Sequence, residues 1–420
     1  MSINAASSPP GARRPPATSI LYSMALGTFA IGTQGFMIAP LLPNLAQDLS
    51  VSLVAAGQLV TVFTLAYAIS SPILTALTGG LGRRNLLIFA MTGFVLGNVI
   101  AALATNYWML MSARILLAFA AGLYVPNANA LATSVVAPEK RGTALSIITG
   151  GTSMAVTLGV PLSAFIGHGF GWRMTFVVVG TLAIVAMAGL RFGLHSDVGA
   201  GLPVASLRAR IALVGQKPVL FTLFVTLLWA TGVYTVYTYL AAFVAREAGI
   251  DGEHVGLVLF TWGVSAAIGV TTGGRLNDRL GSKAVMLAAL ALLAASFVTM
   301  SLSACLFAPS AARVPVLLAI VVWGLAAWAY IPAQQARLID VAGVKVASVV
   351  LSLNSSFMFT GFALGAALGS VTIAYSSPAA LGFVGAASIV IGLIVVCAIT
   401  RQKGIRPASW CRAEAIEKDR

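Results

Sequence analysis

The sequence predicts an all-α polytopic membrane protein with twelve transmembrane helices. Three observations predict it. Of the 420 residues, 59% are apolar and only 9% are Asp, Glu, Lys or Arg, against about a quarter in soluble domains. The apolar residues form long runs, not the short alternating strands of a transmembrane barrel. The basic residues stand between those runs, on alternate connections. So few charges leave too little polar surface for a soluble fold, which excludes a cytosolic enzyme, a secreted domain and a disordered chain.

A helix needs about 20 apolar residues to cross a bilayer, and twelve runs meet that length. Ser19–Leu42 follows an Ala/Ser/Pro-rich segment, 1–18, expected as a disordered tail. Leu53–Thr78 ends ahead of Arg83 and Arg84, which open the way to Leu86–Ala104. Trp108–Val135 starts on an aromatic residue suited to the lipid interface. Thr143–Gly167 follows Lys140 and Arg141, and Met174–Leu190 follows Arg173. The stretch around Gly199, Gly201 and Pro203 is the longest central polar segment and reads as a linker. Beyond it come Val219–Ala245, Val255–Gly273, Ala284–Leu306 behind Lys283, Val314–Ala336 behind Arg313, Val346–Ala374 behind Lys345, and Ala379–Ile399. The expected organisation is a tail (1–18), a six-helix bundle (19–191), a linker (192–217), a second six-helix bundle (218–400) and a tail (401–420).

Charge placement gives an orientation. With the N-terminus inside, the inside segments collect nearly all Lys and Arg, among them Arg13, Arg14, Arg83, Arg84, Lys140, Arg141, Arg191, Arg208, Arg210, Arg275, Arg279, Lys283 and Arg337. The outside connections carry only Arg173, Arg246 and Arg313, and Arg114 lies within a span. This split predicts that both termini are cytoplasmic. The net charge of +14 then reflects topology and contact with lipid headgroups, not nucleic-acid binding. Cys305, Cys397 and Cys411 have neither metal-like spacing nor the even count of a disulfide framework. No metal or cofactor is expected.

The chain also resembles itself. At an offset of 199, Leu77, Leu81, Gly82 and Arg84 align with Leu276, Leu280, Gly281 and Lys283. At an offset of 206, Tyr124-Val125-Pro126 faces Tyr330-Ile331-Pro332, and Leu158-Gly159 faces Leu364-Gly365. The ordered series points to duplicated halves, the architecture in which one bundle rocks against the other.

The connection Gly274-Arg275-Leu276-Asn277-Asp278-Arg279-Leu280-Gly281-Ser282-Lys283 fits G-x-L-x-D-R-x-G-x-[RK] throughout. Asp278 can accept hydrogen bonds from a helix N-terminus and pair with guanidinium groups. Such a cluster can close one face and break when the halves rock; the plainer reading is a solvated turn. Gly151, Ala155, Gly159, Ser163 and Gly167 recur every fourth residue, as do Gly361, Gly365 and Gly369, and such stripes let helix backbones approach closely. Pro161 loosens its helix by removing one donor.

The Gly274–Lys283 pattern resembles the inter-helix signature of the major facilitator superfamily, with Gly274, Asp278, Arg279 and Gly281 at its defining positions. The first-half copy keeps Arg83 and Arg84, but Gly79 stands where the family places Asp. Gly35-Phe36-Met37-Ile38-Ala39-Pro40-Leu41-Leu42-Pro43 resembles span one of the drug:proton antiporters with twelve spans. Arg114 with Gly122, Pro138-Glu139-Lys140-Arg141-Gly142, Gly159-Val160-Pro161-Leu162-Ser163 and Gly171-Trp172-Arg173 resemble the arabinose-efflux-permease-like branch. That branch holds sugar, nucleoside and chloramphenicol-type exporters. The resemblance covers nearly the whole chain. It implies the major facilitator fold, two six-helix bundles around a central cavity, in a bacterial cytoplasmic (inner) membrane. It also implies a monomer that exports a small organic solute by alternating access in exchange for protons. Gly159, Pro161, Arg83, Arg84 and the Gly274–Gly281 turn would take part in gating.

Arg114 is the one charge well inside a span, about 10 Å deep at 1.5 Å per residue. None of the eleven carboxylates falls at the middle of a run, and relatives often carry Glu near Gln34. Gln34 cannot titrate, so Asp48 and His168, near span ends, are the remaining proton-carrying candidates. A facilitator without proton coupling, or an uptake carrier, of the same fold is the alternative, with a membrane-embedded enzyme or sensor more remote. Asn127, Asn129, Gln334 and Asn354 are costly against lipid and should face inward, as should the mid-span aromatics Trp229, Tyr234 and Tyr237. Together with Gln34 and Arg114 they are the candidate substrate contacts. Aromatic walls with a few amides suit a neutral or weakly cationic solute. A membrane-embedded enzyme would need convergent titratable groups, and His168, His195 and His254 are scattered.

Overall fold

A computed structural model describes residues 17–78, 81–137, 140–193, 207–252 and 254–402. Most of the expected tails, the centre of the linker and Gly79 lie outside these residues. The described chain is helical throughout: α1 (Ala17–Phe36), α2 (Ile38–Asp48), α3 (Leu53–Leu77), α4 (Arg83–Ala102), α5 (Tyr107–Ser134), α6 (Arg141–Met154), α7 (Val160–Phe170), α8 (Trp172–Gly193), α9 (Leu207–Val214), α10 (Lys217–Tyr237), α11 (Leu240–Glu247), α12 (His254–Leu280), α13 (Ser282–Leu306), α14 (Pro309–Ala342), α15 (Ala347–Tyr375) and α16 (Leu381–Gln402). Eleven helices are long and apolar enough to span a bilayer, α6 and α7 counting as one, and the bent pair α1/α2 makes the twelfth. Large apolar side chains such as Phe89, Phe165, Leu292 and Ile394 stand exposed on the outside of the bundle, where only lipid gives them a favourable surrounding.

The first span of each half departs from the straight run expected. In place of Ser19–Leu42, the chain bends by 51° at Met37 and continues as α2 to Asp48. Pro40 explains the break. It has no N–H to donate to the Phe36 carbonyl four residues back, and its ring crowds that carbonyl. In place of Val219–Ala245, α10 ends at Tyr237 and α11 starts at Leu240. Here the Thr238 hydroxyl bonds back to the Tyr234 carbonyl at 2.7 Å, a local bond that competes with helix continuation. Hydropathy runs through both breaks, so neither shows in the apolar pattern.

The glycine stripes pack each half in the same way. Gly151, Gly159 and Gly167 press on Ala25, Thr33 and Leu41 of α1/α2. Gly361, Gly365 and Gly369 press on Leu227, Thr231 and Thr235 of α10. A Cβ at any of these positions would strike a neighbouring atom, so the stripes set the helix spacing. One turn, Ala155–Gly159, is π-helical and joins α6 to α7 just ahead of Pro161. The Thr157 hydroxyl in this turn lies 3.0 Å from the Ser153 carbonyl and 3.2 Å from the Gly263 carbonyl of α12. The halves therefore meet along two seams, α3 on α15 and the π turn with α7 on α12.

Candidate substrate site and gate

The connections rich in Lys and Arg share one end of the bundle, here called the basic face. Asp48, Arg173, Arg246 and Arg313 mark the opposite face. At that face Arg173 donates to Asp48 at 2.6 Å and to the Ala104 carbonyl at 2.9 Å, while the Trp172 indole also donates to Asp48 at 3.0 Å. Asp48 thus ties α2 to α8 within the first half, and the pair stays 40% and 47% exposed.

Side-chain contacts between the halves begin near the middle of the bundle and continue to the opposite face. Tyr67 of α3 stacks on Phe359 of α15 with ring centres 3.8 Å apart. Tyr237 donates to the Phe36 carbonyl at 3.0 Å, the acceptor that Pro40 leaves free. Phe36 also meets Tyr234, Tyr237 and Phe362 edge-on or tilted. Further out, Ser370 donates to the Ala366 carbonyl and accepts from both Tyr239 at 2.5 Å and Gln58 at 3.1 Å. Tyr239 fills the notch left by Gly57. These contacts close the opposite face.

Beneath that closure Arg114 is completely buried. Its Nε donates to the Leu59 carbonyl at 3.2 Å and one terminal nitrogen to the Gln34 carbonyl at 3.1 Å. The guanidinium carbon sits 4.0 Å over the Phe63 ring, a cation–π contact. The second terminal nitrogen has no partner, nor do the amide oxygen and nitrogen of Gln34 or the Thr33 hydroxyl. Tyr234 stacks on Phe362 at 3.8 Å. Trp229 stacks on Tyr330 at 5.2 Å, and its indole N–H is unpartnered.

The amides fall into two groups away from Arg114. Gln334 donates to the Thr222 carbonyl and to the Thr226 hydroxyl, and Thr226 in turn donates to Asn354 at 2.7 Å. Asn127 is already engaged, accepting from the buried Arg83 and donating to the Leu123 carbonyl. Asn129 keeps an unpartnered oxygen. Arg84 donates to the Arg191 carbonyl at the end of α8. Outside the spans, Arg210 of α9 donates to Ser352 at 2.7 Å, and burial pulls its guanidinium below the ordinary range.

The Gly274–Gly281 turn lies at the basic face, with Asp278 and Arg279 exposed. Gly281 has φ of +78°, which lets α12 turn sharply into α13. Among the described residues Asp278 makes no ion pair, so the charge cluster expected there is not assembled in this conformation. Phe36, Phe362, Thr226 and Ser370 were not identifiable as site residues from sequence. Only Phe36 carries a readable signal, its place four residues before Pro40.

The family model for the Major Facilitator Superfamily matches residues 24–252 and 222–410. The MFS-type transporter YbcL of Bacillus subtilis is 32% identical over 374 residues, covering 89% of this chain and 94% of its own length. The inner membrane transport protein YdhP of Escherichia coli K12 is 32% identical over 365 residues, 86% of this chain and 90% of its own. A crystal structure of the peptide transporter POT with alafosfalin superposes with a TM-score of 0.73 at 14% identity, over 92% of this chain and 94% of that one, a likeness of fold alone. With two six-helix bundles joined along two seams, the chain is a multi-pass membrane transporter and belongs to the major facilitator superfamily.

Proposed function

We propose that the protein exports a small organic solute across the bacterial cytoplasmic membrane by alternating access, in exchange for protons, with the basic face and both termini in the cytoplasm. The observation that carries this reading is the closure of the opposite face by contacts between the two halves. The broken first helices meet through Phe36 and Tyr237, and the named contacts between halves run from mid-bundle to the opposite face. In alternating access, closure of this face is the posture from which the interior is reached from the cytoplasmic side. In this reading the solute contacts are Gln34, Arg114, Trp229, Tyr234, Gln334 and Asn354. Asp278 and Arg279 close the basic face in the other posture.

A second reading, a carrier without proton coupling, is favoured by one observation. Among the described residues no carboxylate is buried within a span, and Asp48 is held by Arg173 at the rim. Inside-out vesicles and a panel of sugars, nucleosides, amphenicols and aryl carboxylates test both. Export by proton antiport predicts uptake that an acid-inside gradient stimulates. Flux indifferent to that gradient removes the coupling, and no flux of any solute from well-inserted protein removes the export reading.

A further inference from the structure

We propose that Arg114 and Gln34 bind the anionic group of the transported solute, and that the solute is an organic acid whose apolar or aromatic body lies against Tyr234, Phe362 and Trp229. This names the substrate class of the site proposed above and rests on that reading. The residue types alone suggest a neutral or weakly cationic solute; the unpartnered atoms argue for the opposite charge.

Arg114 is fully buried, yet its protein partners are two neutral carbonyls and a phenyl ring. A buried cation is stable when an opposite charge satisfies it. The ion pairs among the described residues, Asp48 with Arg173 and Arg246 with Glu247, lie at the opposite face and do not involve it. One guanidinium nitrogen remains a free donor, and Gln34, also fully buried and held to Arg114 through its backbone carbonyl, leaves both its amide nitrogen and its amide oxygen unpartnered. A carboxylate or another anionic oxygen group matches that pair, one oxygen for each donor. Across the seam the Trp229 indole, stacked on Tyr330, is a further unpartnered donor. A neutral solute leaves the positive charge unpaired, and a cation adds repulsion. Toward the basic face the buried charges are again positive, Arg83 and Arg210, a field that draws an anion inward.

The test uses purified full-length protein in detergent. The probes are aryl carboxylates of graded size (benzoate, 4-phenylbutyrate, 2-naphthoate), each beside its amide and its amine. Thermal shift and tryptophan fluorescence read binding. A charge-assisted pair that the amide cannot form predicts a carboxylate that binds about ten-fold or more tighter than its amide. Arg114→Gln should remove that preference, with a cooperative thermal transition showing that the variant is folded. Arg114→Lys should keep part of the preference, and Gln34→Leu should weaken carboxylate binding more than amide binding. The proposal fails if the amides or amines bind better, if no carboxylate binds, or if Arg114→Gln or Arg114→Lys and Gln34→Leu leave the preference unchanged. Binding in detergent is indifferent to direction and to proton coupling. Its failure therefore leaves the export reading standing, and a vesicle result without gradient dependence leaves this proposal standing.

Discussion

Tyr237→Phe should open the opposite face. The Tyr237 hydroxyl donates to the Phe36 carbonyl across the halves, and Pro40 prevents any donor from within the helix from replacing it. The substitution removes a hydrogen bond worth about 1 kcal/mol net and leaves a carbonyl short of a partner, for about 1–2 kcal/mol in all. The cost falls only on the closed posture, since water reaches that carbonyl once the halves part. The open population should rise by a factor of about 5–30. The reporter is Ala164→Cys, a buried position packed on Gly256 of α12, in a background with Cys305, Cys397 and Cys411 replaced by Ser. Labelling by an impermeant maleimide from the opposite face should quicken by that factor. Pro40→Ala offers Phe36 a donor within the helix, so the effect of Tyr237→Phe should shrink in the double variant. An unchanged labelling rate, or an effect of equal size with and without Pro40, would refute the reasoning.

Further outcomes follow from the same contacts. Asp278→Asn, normally inserted, should slow transport in vesicles, since the basic face could not close; flux at the parent rate would remove Asp278 from the gate. Gly365→Ala sets a Cβ against the Thr231 carbonyl and 2.9 Å from the Thr235 nitrogen, which should cost about 1–3 kcal/mol and lower Tm in detergent. Thr226→Val should destabilise by about 1–3 kcal/mol, because Gln334 and Asn354 lose the hydroxyl that links them. Asp48→Asn breaks a half-exposed ion pair and should cost at most about 1 kcal/mol. If that variant also abolishes stimulation by a pH gradient, Asp48 carries the proton.

Much of the architecture was readable from sequence because lipid imposes one simple rule on each span. Runs of about 20 apolar residues and the alternation of Lys and Arg suffice for span number and an expected orientation. The glycine stripes announced close helix contacts, and the structure supplies their partners, the first span of each half. The helix breaks were not readable as breaks: Pro40 is visible, but the apolar run passes through Met37 and through Thr238 without a gap. The site was readable only as a set of residue types. Nothing local distinguishes Asn127, occupied by Arg83, from Gln34, whose amide is unpartnered. Ser370 gained a place in the closure only by lying opposite Gln58 and Tyr239, more than a hundred residues away in the chain.

The central claim is that the halves part and meet alternately at the two faces. Ala164 lies 3.9 Å from the position a Cβ would take on Gly256, within the usual span of a disulfide of about 3.5–4.5 Å. In the background with the native cysteines replaced, Ala164→Cys/Gly256→Cys should therefore lock the opposite face when oxidised. Measured with the solute identified in vesicles, flux should stop on oxidation and return on reduction. A fully cross-linked carrier that moves its solute at the unlocked rate would contradict the account.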